Sequence, residues 1–154
     1  MRPTAKQVTE AHIDKIKSFL TDFIQRLTYR ADVHDASKFS EEEMVPLQKM
    51  QELTDREGQV PYDSAKYKER LKILKPMLDH HYANNSHHPE HYENGVDGMD
   101  LLDVVEMFMD WKAASERGEE SAMNITAATK RYKVSPQLES IFRNTAKTFN
   151  FKAT

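Results

Sequence analysis

The sequence predicts an all-α fold, a single compact helical domain over residues 1–154 with about five to seven helices. Three observations predict it. The 4 Gly and 6 Pro stand at about half their usual share. Apolar residues recur at steps of three and four, and no run alternates apolar with polar residues as a strand does. At 154 residues the chain suits one core. Leu, Ile, Val and Phe make up about one residue in five, at the low edge of the folded range. The net charge of only −3, with 8 Met, 6 Tyr and 1 Trp adding apolar volume, still favours a folded core.

The first helix is predicted from about Pro3 to Tyr29, with Val8, His12, Ile16, Phe19, Phe23 and Leu27 on one stripe and Lys, Asp, Gln and Thr opposite. After Arg30 to Phe39, Ser40-Glu41-Glu42-Glu43 reads as a capping box, Ser40 as N-cap and Glu43 reaching back. The second helix then runs to about Leu53, and Thr54 to Pro61 is a polar turn. A third helix starts near Asp63 with Tyr67, Leu71, Leu74 and Leu78 on one face, and Pro76 must kink it or mark a break. If the winding survives, His81 falls on the apolar face and His80 on the opposite one. Asn84 to Gly98 is a polar connector. A strong helix follows from about Met99 to Arg117, ended by Gly118. Glu119 to Thr154 reads as two shorter helices split near Lys133, the second opened by Ser135 as N-cap and Pro136 at its first position.

Composition excludes several functions. With no Cys there is no disulfide, thiolate metal site or cysteine nucleophile, so a metal must be held by nitrogen and oxygen. Lys and Arg (22) nearly balance Asp and Glu (25), so no strong nucleic-acid binding is expected. No apolar run approaches the length of a membrane span, and the expected location is cytoplasmic.

The seven His are unevenly spread: His12, His34, the pair His80-His81, then His87-His88 and His91. Imidazole is the commonest metal ligand, and such clustering suits a divalent cation or a phosphate, although a polar loop would also contain it. His12 sits mid-stripe, where it is either an ordinary hydrogen-bonded core histidine or a ligand. In His34-Asp35 a carboxylate beside an imidazole can bind one ion jointly or bridge two. On the Met99–Arg117 helix, Asp103, Glu106 and Asp110 lie within about 60° of arc, as a solvated acidic edge or as ligands.

The order H…HD…D resembles the ligand order of the HD-domain metal-dependent phosphohydrolases, and His34-Asp35-Ala36-Ser37-Lys38 is similar to the HD-x-x-K segment of the branch that hydrolyses cyclic dinucleotides. Asp110 follows His81 by 29 residues, similar to that branch's separation. More closely, His34-Asp-Ala-Ser-Lys-Phe39, His80-His-Tyr-Ala-Asn-Asn-Ser-His-His-Pro-Glu-His91 and Glu106-Met-Phe-Met-Asp-Trp111 resemble a bacterial and phage family of uncharacterised proteins read as HD-like hydrolases. That likeness extends from His12 through Asn144-Thr145. The cyclic-dinucleotide branch carries Gly-Tyr-Pro after its His-His pair, where this chain has Asn84-Asn85-Ser86-His87-His88-Pro89. It also carries a further His that has no counterpart between His34 and His80. Cyclic dinucleotides are therefore disfavoured.

The resemblance implies an HD-domain-like helical bundle holding one or two divalent ions, with Mn, Fe, Zn, Ni and Mg not distinguished. It implies His12, His34, Asp35 and Asp110 as the primary ligands and His81 and His88 as completing that site or holding a second ion. Lys38 would neutralise phosphoryl charge and Asn85 orient a ring or substrate. Glu106 is either an acceptor for a ligand histidine or a general base. His80, His87, Glu90 and His91 are assigned to substrate binding, the last three at a pocket mouth. The expected function is hydrolysis of a small phosphorylated substrate, a nucleotide or other phosphate ester, by a metal-activated water. The alternatives are a non-catalytic, metal-containing nucleotide- or partner-binding module, and a helical protein stabilised by zinc. Homo-oligomers are compatible with all three.

Overall fold

The computed structural model describes residues 2–61, 64–117 and 122–154. Their regular structure is helical: α1 (Ala5–Val33), α2 (Glu41–Glu57), α3 (Ala65–Asn84), α4 (Leu101–Ser115), α5 (Ile125–Tyr132) and α6 (Pro136–Thr148), with short 3-10 helices at Ala36–Phe39, Pro89–His91 and Gly95–Gly98. The only other pairing among these residues is one isolated parallel bridge between Met123 and Ala153. The all-α expectation holds. No helix among the described residues is long and apolar enough to cross a membrane. The start near Asp63 and the Gly118 and Glu119 boundaries lie outside the described residues.

The chain divides into two units, Met1–His34 and Asp35–Thr154. The first is α1, opened by a Thr4–Gln7 capping box and free of Pro and Gly throughout. Nothing in Arg30-Ala31-Asp32-Val33 breaks a helix, so it continues past the expected end at Tyr29. None of its residues is buried, because one helix has no partner inside its own unit. His12 is exposed, so the desolvation argument for it as a core histidine does not apply.

In the second unit α2 packs on α3. Pro46 lies inside α2 and Pro76 inside α3, yet α3 stays helical through Asn84, so the winding reaches His80 and His81. Arg70 of α3 is buried and donates to Glu57 Oε2 at 3.3 Å and to the Gly58 carbonyl at 3.4 Å. Gly58 caps α2 at φ 78°, a conformation that favours glycine. These bonds tie the end of α2 to α3.

The apolar core lies on the other side of the sequence, in α4 to α6. Met107 and Phe108 pack with Met123, Ile125, Phe142 and Ala146, and Phe108 stacks on Phe142 at 5.1 Å between ring centroids. Lys133, at φ 53°, caps α5 near the predicted split, and Ser135 caps α6 by accepting from the Leu138 N–H. Asp103 departs from the solvated-edge reading. It is buried, accepting from Ser86 Oγ at 2.6 Å and Tyr92 Oη at 2.7 Å, and completes a capping box with Asp100. It thereby anchors the 85–100 connector to α4. Burial, reinforced by this carboxylate, pushes the Tyr92 phenol up to about 12.

Two expectations follow. Phe142→Ala should lower unfolding stability by about 3–5 kcal/mol in denaturant titrations, the usual effect of emptying an aromatic core position. Hydrogen bonds from Lys66 and Arg56, with Arg70 adding to them, hold the Glu57 carboxyl down from 4.5 to about 2. A depressed carboxyl stabilises the fold above its unfolded pKa and loses that contribution as pH falls through the folded value. The stability difference between wild type and Glu57→Gln should be present at pH 6, shrink below about pH 4.5 and vanish near pH 2.

Candidate metal centre

The site forms where three segments of the second unit meet. The first begins at Asp35, a non-glycine residue in the left-handed region (φ 55°, ψ 19°), which costs an L-residue about 1–2 kcal/mol. This turn starts the 3-10 helix Ala36–Phe39, closed by a bond from the Lys38 N–H to the Asp35 carbonyl at 2.9 Å. Lys38 Nζ folds back to pair with Asp35 Oδ2. The second segment is the last turn of α3, which carries His80 and His81. The third follows Asn85, which turns extended (φ −128°) and ends the helix, so that His87 and His88 return toward it.

Asp35, His81, His87 and His88 each offer a ligand atom, and the four atoms lie within 4.8 Å of one another. His81 Nε2 is 3.3 Å from Asp35 Oδ1 and 2.9 Å from His88 Nε2, while His87 Nε2 is 3.6 Å from Asp35 Oδ1. Four ligands about 2.1 Å from a tetrahedral centre sit about 3.4 Å apart, so these residues suit a metal ion. His81 and His87 are buried, whereas His88 and Asp35 are partly exposed. Burial first, then the neighbouring His87 and His81, lower the His88 pKa to about 3. At neutral pH that ring keeps a free lone pair for a cation.

Carboxylates back two of the rings. His81 Nδ1 lies 2.8 Å from Glu43 Oε2, and His87 Nδ1 lies 3.1 Å from Glu106 Oε1. Both contacts lie on the side of the ring away from the shared centre, the arrangement that orients metal-binding histidines. Glu43 also reaches His80 Nδ1 at 2.8 Å through its other oxygen and is fully buried. Burial drives its pKa up, but bonds from Ser37, His80 and His81 outweigh that and hold it below the usual value.

Glu43 corrects the capping expectation. Ser40 is the N-cap of α2, as expected, but makes no side-chain cap bond, and the Glu43 side chain, instead of reaching back to the Ser40 N–H, turns inward to the histidines. His80, expected on the side of the helix opposite His81, shares this carboxylate with it, since adjacent residues differ by only about 100°. Sequence reasoning missed Glu43 as a site residue. The signal was there as an acidic residue beside the HD-x-x-K segment, masked by a local pattern that explains it equally well.

The remaining expected site residues lie as follows. His87 is inside the cluster rather than at a mouth. Asn85 is buried, bonded to Ser37 Oγ at 2.7 Å and the His81 carbonyl at 2.7 Å. Glu90 and His91 are exposed on the 3-10 helix Pro89–His91, Glu90 pairing with Arg131 at 3.3 Å and His91 Nδ1 lying 2.7 Å from the Tyr82 carbonyl. Asp110 is half-buried on α4, one turn beyond Glu106. His12 and His34 belong to the first unit, His34 as the C-cap of α1.

Fold and site together define an all-helical protein with a His/His/His/Asp cluster able to coordinate a divalent metal. The chain belongs to the family described as "Family of unknown function (DUF5662)", which it matches over residues 1–148. No curated protein and no solved structure matches it.

Strain and coordination at Asp35 are separable. Glycine adopts the left-handed conformation without penalty, so metal-free Asp35→Gly should melt within a few degrees of wild type or above it. Its rise in Tm on adding Zn²⁺ or Mn²⁺ should be lost. Asp35→Ala, which loses the ligand and keeps the strain, should melt lower than Asp35→Gly in a thermal shift assay.

Proposed function

We propose that this protein is a metal-dependent phosphohydrolase acting on a nucleotide or another small phosphate ester. The observation that carries the reading is the convergence of Asp35, His81, His87 and His88 at separations suited to one ion, with carboxylates behind two rings. Three imidazoles and one carboxylate are a donor set for a first-row transition metal such as Zn, Mn, Fe or Ni, rather than for Mg, which takes oxygen ligands. The likeness of the His34–Phe39 segment to HD phosphohydrolases supports the choice of reaction.

Asp35, His81, His87 and His88 would hold a divalent ion, which would supply a water acidified toward neutrality and a Lewis acid for a phosphoryl oxygen. The protein's own groups do the rest. Glu43 and Glu106 orient His81 and His87. Lys38 holds Asp35 Oδ2 and puts a positive charge beside the centre, where it offsets charge gathering on a phosphate. Glu106 acts as the acceptor for His87 Nδ1 rather than as a general base, since it lies on the far side of that ring. His80, His91 and Glu90 contact the substrate from the more exposed rim.

One observation favours a second reading. Four protein donors fill a tetrahedron, as in closed structural zinc sites, and would leave no position for water. The two readings separate experimentally. Untagged protein should retain a first-row metal near one equivalent by mass spectrometry, and loaded protein should release phosphate or split a phosphodiester within a nucleotide panel. Asp35→Asn and His81→Ala should each lower turnover at least 10²-fold. Metal content near zero removes both readings. Metal without turnover, together with unfolding on chelation, selects the structural one.

A further inference from the structure

We infer that Glu43 is a positioning residue that fixes His80 and His81 in the same tautomer, with the proton on Nδ1, so that His81 turns a bare Nε2 toward the cluster. The inference deepens the metal-site reading and rests on it only for the consequence, since the tautomers exist without an ion.

The donor and acceptor count around Glu43 closes one way, and at the 2.9 Å contact between His81 Nε2 and His88 Nε2 the hydrogen then sits on His88. An ionised carboxylate only accepts. Glu43 is fully buried, and each of its two oxygens lies 2.8 Å from the Nδ1 of a different ring, so as a carboxylate it accepts from both and both Nδ1 atoms carry hydrogens. The neighbours agree. Asn85 Nδ2 lies 3.2 Å from His81 Nδ1 and looks like a competing donor. Its two hydrogens, however, go to Ser37 Oγ and to the His81 carbonyl, both at 2.7 Å. No Asn85 hydrogen is left for the ring; Ser37 Oγ, having accepted from Asn85, also lies 3.4 Å from His81 Nδ1, but its one hydrogen goes to Glu43. On the other imidazole, Asn84 Nδ2 donates to the His80 carbonyl at 2.8 Å and lies 3.4 Å from His80 Nε2, which accepts in the Nδ1–H tautomer. Every hydrogen in the chain Asn85, Ser37, Glu43 points one way.

The reason for a carboxylate follows. A glutamine at this place offers one acceptor and one donor pair. One of the two rings would then have to accept through Nδ1 and carry its hydrogen on Nε2. If that ring were His81, its metal-facing lone pair would be lost. If it were His80, the altered face would be the half-exposed one. Glutamate is the smallest change from glutamine that serves two adjacent Nδ1–H groups at once.

The test uses the full chain, ¹⁵N-labelled and metal-free, at a pH where the rings are neutral. Two-bond ¹H–¹⁵N correlations report the tautomer of each histidine. Wild type should show Nδ1–H for both His80 and His81, and Nε2–H on His81 overturns the inference without any variant. In Glu43→Gln at least one of the two should switch to Nε2–H, with Zn²⁺ affinity, measured by competition with a chromophoric chelator, falling about 10–100-fold. As a control, Glu106→Gln should alter His87 and leave His80 and His81 unchanged, which a general loosening would not do. Unchanged tautomers and unchanged affinity in a folded Glu43→Gln overturn the inference. Correct tautomers in a wild type that binds no metal overturn the proposed function and uphold the role of Glu43.

Discussion

Imidazoles packed against one another away from water must each find a partner for their N–H groups, or the desolvation they suffer opposes folding. In this protein the partners are carboxylates that are themselves buried or nearly so. Glu43 illustrates the balance. Alone it would be driven neutral by burial, yet three hydrogen bonds to its oxygens keep it charged. The charge and the rings stabilise each other, and neither is tolerable without the other. The rest of the second unit can be read as the means of bringing them together.

Two devices do this. The first sets α2 against α3, with Arg70 clasping Glu57 and the Gly58 carbonyl so that Glu43 faces the last turn of α3. The second pins the connector after α3. Asp103 is deep in α4 and takes hydrogens from Ser86 and Tyr92, on either side of His87 and His88 in the sequence. The two histidines are thereby held in a loop whose ends are fixed to a helix that also belongs to the apolar core. A loop free to move would lose the convergence of three ring nitrogens.

Much of the fold was legible because helical periodicity and capping are local. Ser135 and Pro136 announce their helix, and α3 survived Pro76 because loss of one hydrogen bond does not end a helix packed along its length. The histidine cluster was legible in part. His81 and His88 were expected to serve one site, and they do meet, with His88 returning through the loop that follows α3. What could not be read was long-range. Ser40-x-x-Glu43 satisfies a capping rule from four residues, and nothing nearby says that two histidines some 37 residues on will outbid the cap. Asp103 was grouped with Glu106 because they share a stripe. Only the return of the connector shows that one anchors a loop and the other backs a ring. Asp35 in the left-handed region was equally hidden, since aspartate is ordinary in many conformations.

The distribution of buried residues gives the site a further consequence. In α4 to α6 the buried side chains are mainly apolar, and hydrophobic burial accounts for their order. Among the described residues of α2, α3 and the connector, the buried apolar residues are only Met77 and Pro89, beside Glu43, Arg70, His81, Asn85 and His87. Polar groups bonded to one another contribute little net stability, because folding only replaces their bonds to water. This half of the unit is therefore the part whose order responds most to a ligand. An ion bound by Asp35 and the three histidines adds free energy that grows with the logarithm of its concentration over Kd, and all of it is delivered to the segments with the smallest hydrophobic contribution. Catalytic and structural roles for a metal are then not exclusive in this architecture, since the residues that would activate it are the same ones that lack an apolar core to hold them.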